Sequence, residues 1–305
     1  MPHEKPVGNY LLISPIKNEE KYVETTIRAV LKQTIRPAKW IFVDDGSDDR
    51  TPKILEAYTE EYDWIQVLRI DRGAQRQPGS AVIRAFSVGY ECARGEKFRF
   101  IVKLDCDLDL PSNYFERLLA KFEEDPRLGI ASGVYVEKRN GEWILVKMPR
   151  YHAAGASKVM RRECFEDIGG FVPARGWDTV DEIRAQLRGW RTRHFEDLEF
   201  HHLKNEGSGI GTLRTNSMHG EIFYLTGGGG LFFIFKLLHR ILFGSPFFLG
   251  GVFLLLGYMR AWGPRKPRLV TTIESKFYRK QLNARILDRI AMTFEGARSK
   301  GKAWR

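Results

Sequence analysis

Cysteine is scarce in this chain. The three present among 305 residues (Cys92, Cys106 and Cys164) are odd in number, scattered and without metal-ligand spacing. That argues against a disulfide framework and for a reducing compartment. The first residues, Met1-Pro2-His3-Glu4-Lys5-Pro6, lack the basic and apolar regions of a secretory signal, so the catalytic part is expected to stay in the cytosol. No zinc-finger spacing, RNA-binding aromatic signature or basic recognition helix is present, which argues against nucleic acid as a partner. The Gly-x-Gly-x-x-Gly fingerprint of a dinucleotide fold is missing after the first expected strand, and this weakens the case for an oxidoreductase. Acids are nearly absent from the carboxyl-terminal quarter, where residues 231–305 hold 15 Lys and Arg against 3 Asp and Glu. The net charge of +11 resides there, because residues 1–230 carry 34 basic and 35 acidic side chains. Positive charge beside the most apolar stretch suits an anionic membrane surface better than a nucleic-acid groove.

What is present is globular in composition, 43% hydrophobic and 29% charged, and long enough for one large or two small domains. Apolar strands are expected at Tyr10–Ile16, Trp40–Val43 and Ile65–Leu68, and from Phe100 to about Asp105. Helices are expected between them, near 20–33, from Thr51-Pro52 onward, and from Gly79-Ser80 to about Ala93. Four strand–helix alternations with short links call for an α/β fold. Its sheet is expected to be mostly parallel, flanked by helices, with the functional loops on one edge.

The stretch Phe100-Ile-Val-Lys-Leu-Asp105-Cys-Asp107-Leu-Asp109-Leu-Pro111 organises the rest. It begins as a buried strand and stops in acids at alternate positions, which an uninterrupted buried strand would not tolerate. Asp105 and Asp107 are therefore expected just beyond the strand's carboxyl end, where open α/β sheets bind ligands. Two carboxylates fixed there can hold a hard divalent cation with substrate phosphate oxygens opposite. A solvated Asp-rich turn is the plainer alternative. In the loop after the second strand, Asp44 and Asp45 can accept hydrogen bonds from a base or ribose, although Asp-Asp-Gly-Ser is also ordinary turn chemistry. Arg72, Arg76 and Arg84 suit a diphosphate, or are solvated surface charges.

Taken in order, Ser14-Pro15-x-x-Asn18-Glu19-Glu20, Val43-Asp44-Asp45-Gly46-Ser47-x-Asp49-x-Thr51, Arg72-Gly73 and Leu104-Asp105-x-Asp107-x-x-x-Pro111 resemble family 2 glycosyltransferases of the GT-A fold. The resemblance spans about residues 10–200. It implies inverting transfer of a sugar from a nucleoside diphosphate, with Mg²⁺ or Mn²⁺ on the diphosphate and with UDP expected first and GDP or dTDP next. It also implies that Pro15, Asn18, Glu19, Asp44 and Asp45 line the nucleotide, that Asp105 faces the ribose and the metal, and that Asp107 faces the metal. A histidine from the region of His202 or His219 would join the metal sphere.

Gly169-Gly170 resembles the family's segment ahead of its catalytic acid, and Asp178 falls where that acid is expected. Inverting transfer needs a carboxylate to take the acceptor's proton. Trp177 stands where the family pattern has Glu. Asp181 and Glu182 share a helical face with Asp178, so either can be the base instead. A helix-capping role for Asp178 is compatible with catalysis. Gln186-Leu-Arg-Gly-Trp190 is not the Gln-x-x-Arg-Trp signature of processive members, which disfavours chain extension.

Ile241 to Met259 is 19 residues without a charge, enough to cross a bilayer. Basic residues flank it on both sides and Pro246 and Gly250-Gly251 interrupt it, which fits two short dipping helices or a tight hairpin better than a single span. A buried soluble helix pair is the alternative. The expected organisation is a catalytic domain at 1–225 and a membrane-associating helical region at 226–305, peripheral, monotopic or hairpin-anchored on the cytoplasmic face. The expected acceptor is a lipid-linked sugar or glycan precursor. A non-catalytic nucleotide-sugar-binding scaffold on the same fold is the alternative function.

Overall fold

The computed structural model describes residues 8–70, 80–205, 211–244 and 246–286. The chain forms two compact units, Met1–Glu206 and Gly207–Arg305. In the first, β1 (Tyr10–Ile16), β2 (Lys39–Asp44), β3 (Ile65–Arg69) and β4 (Phe100–Leu104) are joined through α1 (Val23–Leu31), α2 (Thr51–Glu61) and α3 (Ser80–Cys92). These strands lie in the order β3-β2-β1-β4, every pairing parallel. Alternation sorts their side chains between two cores. Leu12, Phe42 and Val102 pack with Val23 and Ile27 of α1, while Leu11, Ile41 and Ile101 pack with Ile83 and Phe86 of α3. Apolar cover on both faces is why β1, β2 and β4 read as mainly hydrophobic runs.

Past β4 the sheet changes character. It is completed by β5 (Leu108–Asp109), α4 (Tyr114–Glu124), β6 (Leu128–Arg139), β7 (Glu142–Leu145), β8 (Ser157–Arg161), α5 (Arg162–Asp167), α6 (Trp177–Leu187) and β9 (Arg191–His202). The path runs β4-β8-β6-β9-β5, parallel only at β6–β9, with β7 paired to β6. The sheet is thus parallel through its first four strands and mixed beyond them. Between Gly133 and Val134 of β6 the partner jumps from Phe195 to Glu199. A Cβ at Gly133 would collide with the Leu198 carbonyl, so glycine lets this bulge close against β6. Beyond the bulge, β9 runs on to pair His202 with Leu108 and His201 with Asp109. That pairing delivers two histidines to the acidic turn.

The second unit contains α7 (Thr212–Leu225), α8 (Gly230–Phe243), α9 (Leu249–Trp262) and a helical stretch at 272–286. Within it, α7 packs against α9. The uncharged run 241–259 is shared between α8 and α9 and broken at the turn between them. Among the described residues, no helix is long and apolar enough to cross a membrane.

Candidate active site

Parallel strands end on one edge, so the loops after β1, β2 and β4 emerge together. Asn18 adopts a left-handed φ of +55° and laces the first loop to the second. Its backbone N–H donates to Ser47 Oγ at 3.0 Å, its Nδ2 to Asp48 Oδ1 at 2.6 Å, and its Oδ1 accepts from the Asp48 N–H at 2.9 Å. Glu19 N–H donates to Thr51 Oγ1 at 2.9 Å, and Lys17 Nζ to the Asp45 carbonyl at 2.8 Å. Asp44 is buried, and its Oδ1 accepts from both the N–H and the hydroxyl of Ser47, at 2.8 and 2.6 Å. Asp44 therefore shapes the loop, and the half-buried Asp45 stands beside Gly46, whose φ of +74° lets the backbone turn there. Pro15 pairs with Val43 inside the sheet, its carbonyl 4.0 Å from Cys106 Sγ. Arg72, Arg76 and Gly73 lie outside the described residues, and Arg84 is exposed on α3.

At the end of β4, Asp105 donates its N–H to the Ala156 carbonyl and accepts from Lys103 Nζ at 2.5 Å on Oδ1. Burial raises its carboxyl above the usual range; Lys103 pulls it down and Asp107 pushes it up. The Asp107 side chain is nearly buried, with Oδ2 3.4 Å from His202 Nε2 and Oδ1 without a hydrogen-bond partner among the described residues. On its other side, His202 Nδ1 lies 3.6 Å from Glu137 Oε1. Burial opposes protonation of this imidazole, yet the carboxylates of Asp107, Asp105 and Glu137 outweigh it and raise its pKa. Glu19 forms an ion pair with Lys204 at 2.8 Å. Burial raises the Glu19 carboxyl, Lys204 lowers it, and Asp107 and Asp105 add to the rise. Asp109 is exposed, opposite His201, whose ring stacks on Trp143 at 4.2 Å.

Among the described residues no three His, Cys, Asp or Glu side chains form a ready metal cage. The donors present still fit a divalent cation. A buried carboxylate oxygen without a partner, as at Asp107, is costly unless something satisfies it. The carboxylates suit Mg²⁺ or Mn²⁺ and an imidazole favours Mn²⁺ of the two, while Mg²⁺ usually keeps waters and substrate oxygens in its remaining positions.

Helix α6 opens after Gly176, which adopts a φ of +85°. Asp178 lies in its first turn and is half-buried, whereas Asp181 and Glu182 are each 1% exposed. Lys158 Nζ, itself wholly buried, lies 2.9 Å from Asp181 Oδ2 and donates to the Asp178 carbonyl at 3.2 Å. Glu182 accepts from the Ala153 N–H at 2.7 Å and lies 3.1 Å from His152 Nδ1. Burial raises the Asp181 carboxyl to about 7 against the pull of Lys158. Trp177 lies against two ammonium groups, Lys158 at 4.9 Å and Lys103 at 5.6 Å from its ring. Lys103 also donates to the Gly155 carbonyl at 2.8 Å, and a Cβ on Gly155 would sit 3.3 Å from the Trp177 ring. Asp105, Lys103, Trp177 and Lys158 thus connect the β4 acids to the turn that bears Asp178.

His152, Lys103 and Lys158 escaped the sequence reading. For Lys103 the signal was visible as a lone cation inside the apolar run Phe100–Leu104. His219 lies on α7, in the other unit.

The model of glycosyl transferase family 2 matches residues 12–175, ending just before α6. Glycosyltransferase AglD of Haloferax volcanii is 28% identical over 216 residues, covering 60% of this chain and 32% of that protein. The undecaprenyl-phosphate 4-deoxy-4-formamido-L-arabinose transferase of Pseudomonas fluorescens is 31% identical over 121 residues, 39% of this chain and 33% of its own length. These matches thus span about a third of each relative. Among solved structures, a mannosyltransferase from Pyrobaculum calidifontis in complex with GDP-Man and Mn²⁺ shares the fold at TM-score 0.52 and 16% identity, covering 97% of this chain and 81% of that one. With more than half of its length matched by the family model, this chain belongs to glycosyl transferase family 2.

Proposed function

We propose that the first unit transfers a sugar, with inversion, from a nucleoside diphosphate to a hydroxyl of a lipid-linked or glycan-precursor acceptor at the cytoplasmic face of a membrane. The observation that carries this reading is the buried Asp107 carboxylate, its Oδ1 partnerless among the described residues and its Oδ2 facing His202, on the edge where the Asp44-Asp45 loop emerges. The Mn²⁺ and GDP-mannose bound by the archaeal mannosyltransferase, and the undecaprenyl phosphate in the name of the Pseudomonas relative, support it.

In this reading the Asp45–Gly46 turn receives the nucleobase and Asn18 keeps that turn in register. Asp105, Asp107 and His202 would hold Mg²⁺ or Mn²⁺, which when bound offsets the charge developing on the leaving diphosphate. Asp178 accepts the proton of the acceptor hydroxyl as its oxygen attacks the anomeric carbon. The new C–O bond forms on the face opposite the departing diphosphate, which leaves with the electron pair of the broken bond. Asp181 and Glu182 are closed off by Lys158, His152 and the Ala153 N–H, and they support the helix that carries Asp178.

Thermal stabilisation by UDP-, GDP- and dTDP-sugars, with and without Mn²⁺, tests the donor site. A shift with one nucleotide that requires the metal and vanishes in Asp107→Ala is expected. No shift in folded protein would overturn the reading.

A further inference from the structure

The second unit is built inside out relative to a water-soluble helical bundle. On α8 the exposed positions Leu231, Ile234, Phe235, Leu238 and Leu242 recur at helical spacing and form an apolar face, bordered by the exposed His239 beside Phe243. The cations of that helix turn the other way. Arg240 Nε donates to the buried Asn216 of α7 at 2.6 Å, and Lys236 lies 5.2 Å from the Phe223 ring.

Helix α9 repeats the inversion. It buries Gly250, Gly251, Leu254, Gly257 and Ala261, and it exposes Leu249, Leu255, Leu256, Met259 and Trp262. The buried seam admits close backbone approach. A Cβ at Gly257 would strike the Ser217 carbonyl, and one at Gly220 would strike the Leu254 carbonyl. Small residues inside with large apolar residues outside is how helices pack when the surrounding medium is hydrocarbon. In water the same arrangement forfeits most of the burial that α8 and α9 could provide.

The two helices run antiparallel, since Ile241 meets Gly251 near the turn and Phe233 stacks on Tyr258 further from it. Phe243 and Phe247 crown the turn at 75% and 71% exposure, beside Phe248 with its φ of +58°. At the opposite end, exposed Arg260, Arg265, Lys266 and Arg268 flank Trp262 in the chain, with Lys266 paired to Glu221 at 2.6 Å and Arg268 over the Tyr224 ring at 5.2 Å. No Asp or Glu occurs between Glu221 and Glu274. Each helix has 14 residues, or about 21 Å, against a hydrocarbon core of about 30 Å.

We propose that the α8–α9 hairpin is a monotopic anchor that enters an anionic lipid leaflet tip first and returns on the same side. Phe243, Phe247 and Phe248 lead into the acyl region, the outward faces of both helices contact lipid, and Trp262 with the flanking cations stays among the phosphates. Trp and basic residues are the side chains that settle at this depth, and anionic headgroups supply the charge complement. The anchor rests on the membrane part of the reading above and adds its face, its depth and its lipid preference.

The test is flotation of the whole chain with vesicles of phosphatidylcholine alone, and with about one-third phosphatidylglycerol. The native chain is expected to float with the second and weakly with the first. The Phe243→Ser/Phe247→Ser variant, which alters only exposed positions, is expected to lose at least about tenfold in partitioning with unchanged circular dichroism. Arg265→Gln/Arg268→Gln should lose the preference for phosphatidylglycerol while retaining residual binding. Native-like flotation of the Phe variant overturns the proposal. So does a native chain that stays with neither vesicle, and dimerisation in lipid-free buffer that the Phe variant abolishes would then assign the face to a second copy. Nucleotide-sugar stabilisation, measured on the same preparations, separates the two readings. Its persistence without flotation defeats the anchor alone, and flotation without it defeats the transfer reading alone.

Discussion

Lys103 on β4 and Lys158 on β8 are registered cross-strand partners, and both ammonium groups are almost wholly buried. Like charges placed opposite one another in a sheet destabilise it, and buried charge costs more still. Here each cation is matched by its own carboxylate, Asp105 for Lys103 and Asp181 for Lys158, and the Trp177 ring lies against both. The register of two strands thereby ties the acid at the end of β4 to the first turns of α6. Breaking one pair leaves the partner's charge buried. Lys158→Met is therefore expected to destabilise the fold by about 3–5 kcal/mol. Adding Asp181→Asn should restore part of that loss. Urea midpoints of the two single variants and the double variant check this, and additive losses would mean that the pair is not coupled.

Asp178 is the partly open member of the three α6 acids, and the other two are engaged in buried ion pairs. Asp178→Asn is expected to lower kcat by about a hundred- to ten-thousand-fold, the range of a general base, while leaving metal-dependent donor stabilisation intact. Glu182→Gln should instead show its main loss in the melting temperature. Normal turnover in Asp178→Asn would remove this residue from the role, and a chain with donor binding but no turnover to lose would fit the scaffold alternative.

The pH dependence of stability should carry the mark of His152. Burial disfavours its charged form, but Glu182 overrides that and raises the imidazole to about 9. A folded-state pKa above the unfolded value means that protonation favours the folded chain. The contribution is complete below about 6.5, declines as pH rises, and is gone above about 9, a loss of about 3 kcal/mol. Asp181, raised to about 7, acts with the same sign at lower pH, between about 4 and 7. His202, whose pKa is raised against burial by Asp107, Asp105 and Glu137, acts with the same sign, so the share of the decline from about pH 7 to 9 that His152→Gln removes is the part that belongs to His152. Chemical denaturation across that range should show it in the native chain and a flatter profile in His152→Gln.

The parallel half of the sheet was legible because its strands are buried on both faces and end in polar loops. The expected position of Asp105 and Asp107, just beyond the carboxyl end of a strand, followed from those endings, whereas the family pattern left the histidine open between His202 and His219 and only the structure puts His202 beside Asp107. The mixed half was not legible, because the Gly133 bulge and the long β6–β9 pairing depend on contacts far apart in sequence, and alternation of residue types does not reveal partners. The three α6 acids could not be ranked for a similar reason. Their difference lies in Lys158 and His152, which stand 20 to 30 residues earlier and carry no local signal of where they point. Asp44 was read as a base-facing group beside Asp45, yet its Oδ1 is spent on Ser47, an outcome allowed by the ordinary turn chemistry of Asp-Asp-Gly-Ser.

Gly133 offers a test of how the bulge serves the site. A side chain there would meet a backbone carbonyl, and the Leu198 strand cannot yield like the end of a flexible side chain. Gly133→Ala should cost about 1–3 kcal/mol, in the range of overpacked sites. The strain has a direction. Pushing Leu198 away from β6 displaces the residues of β9 that follow, and these end in His202, whose Nε2 approaches Asp107. Gly133→Ala is thus expected to require more Mn²⁺ for nucleotide-sugar stabilisation, whereas a core loss on the opposite face of the sheet, such as Ile83→Ala, should lower the melting temperature without changing the metal requirement. Equal metal titrations in the two variants would show that the bulge supports the fold alone and leaves the placement of His202 to its pairing with Leu108.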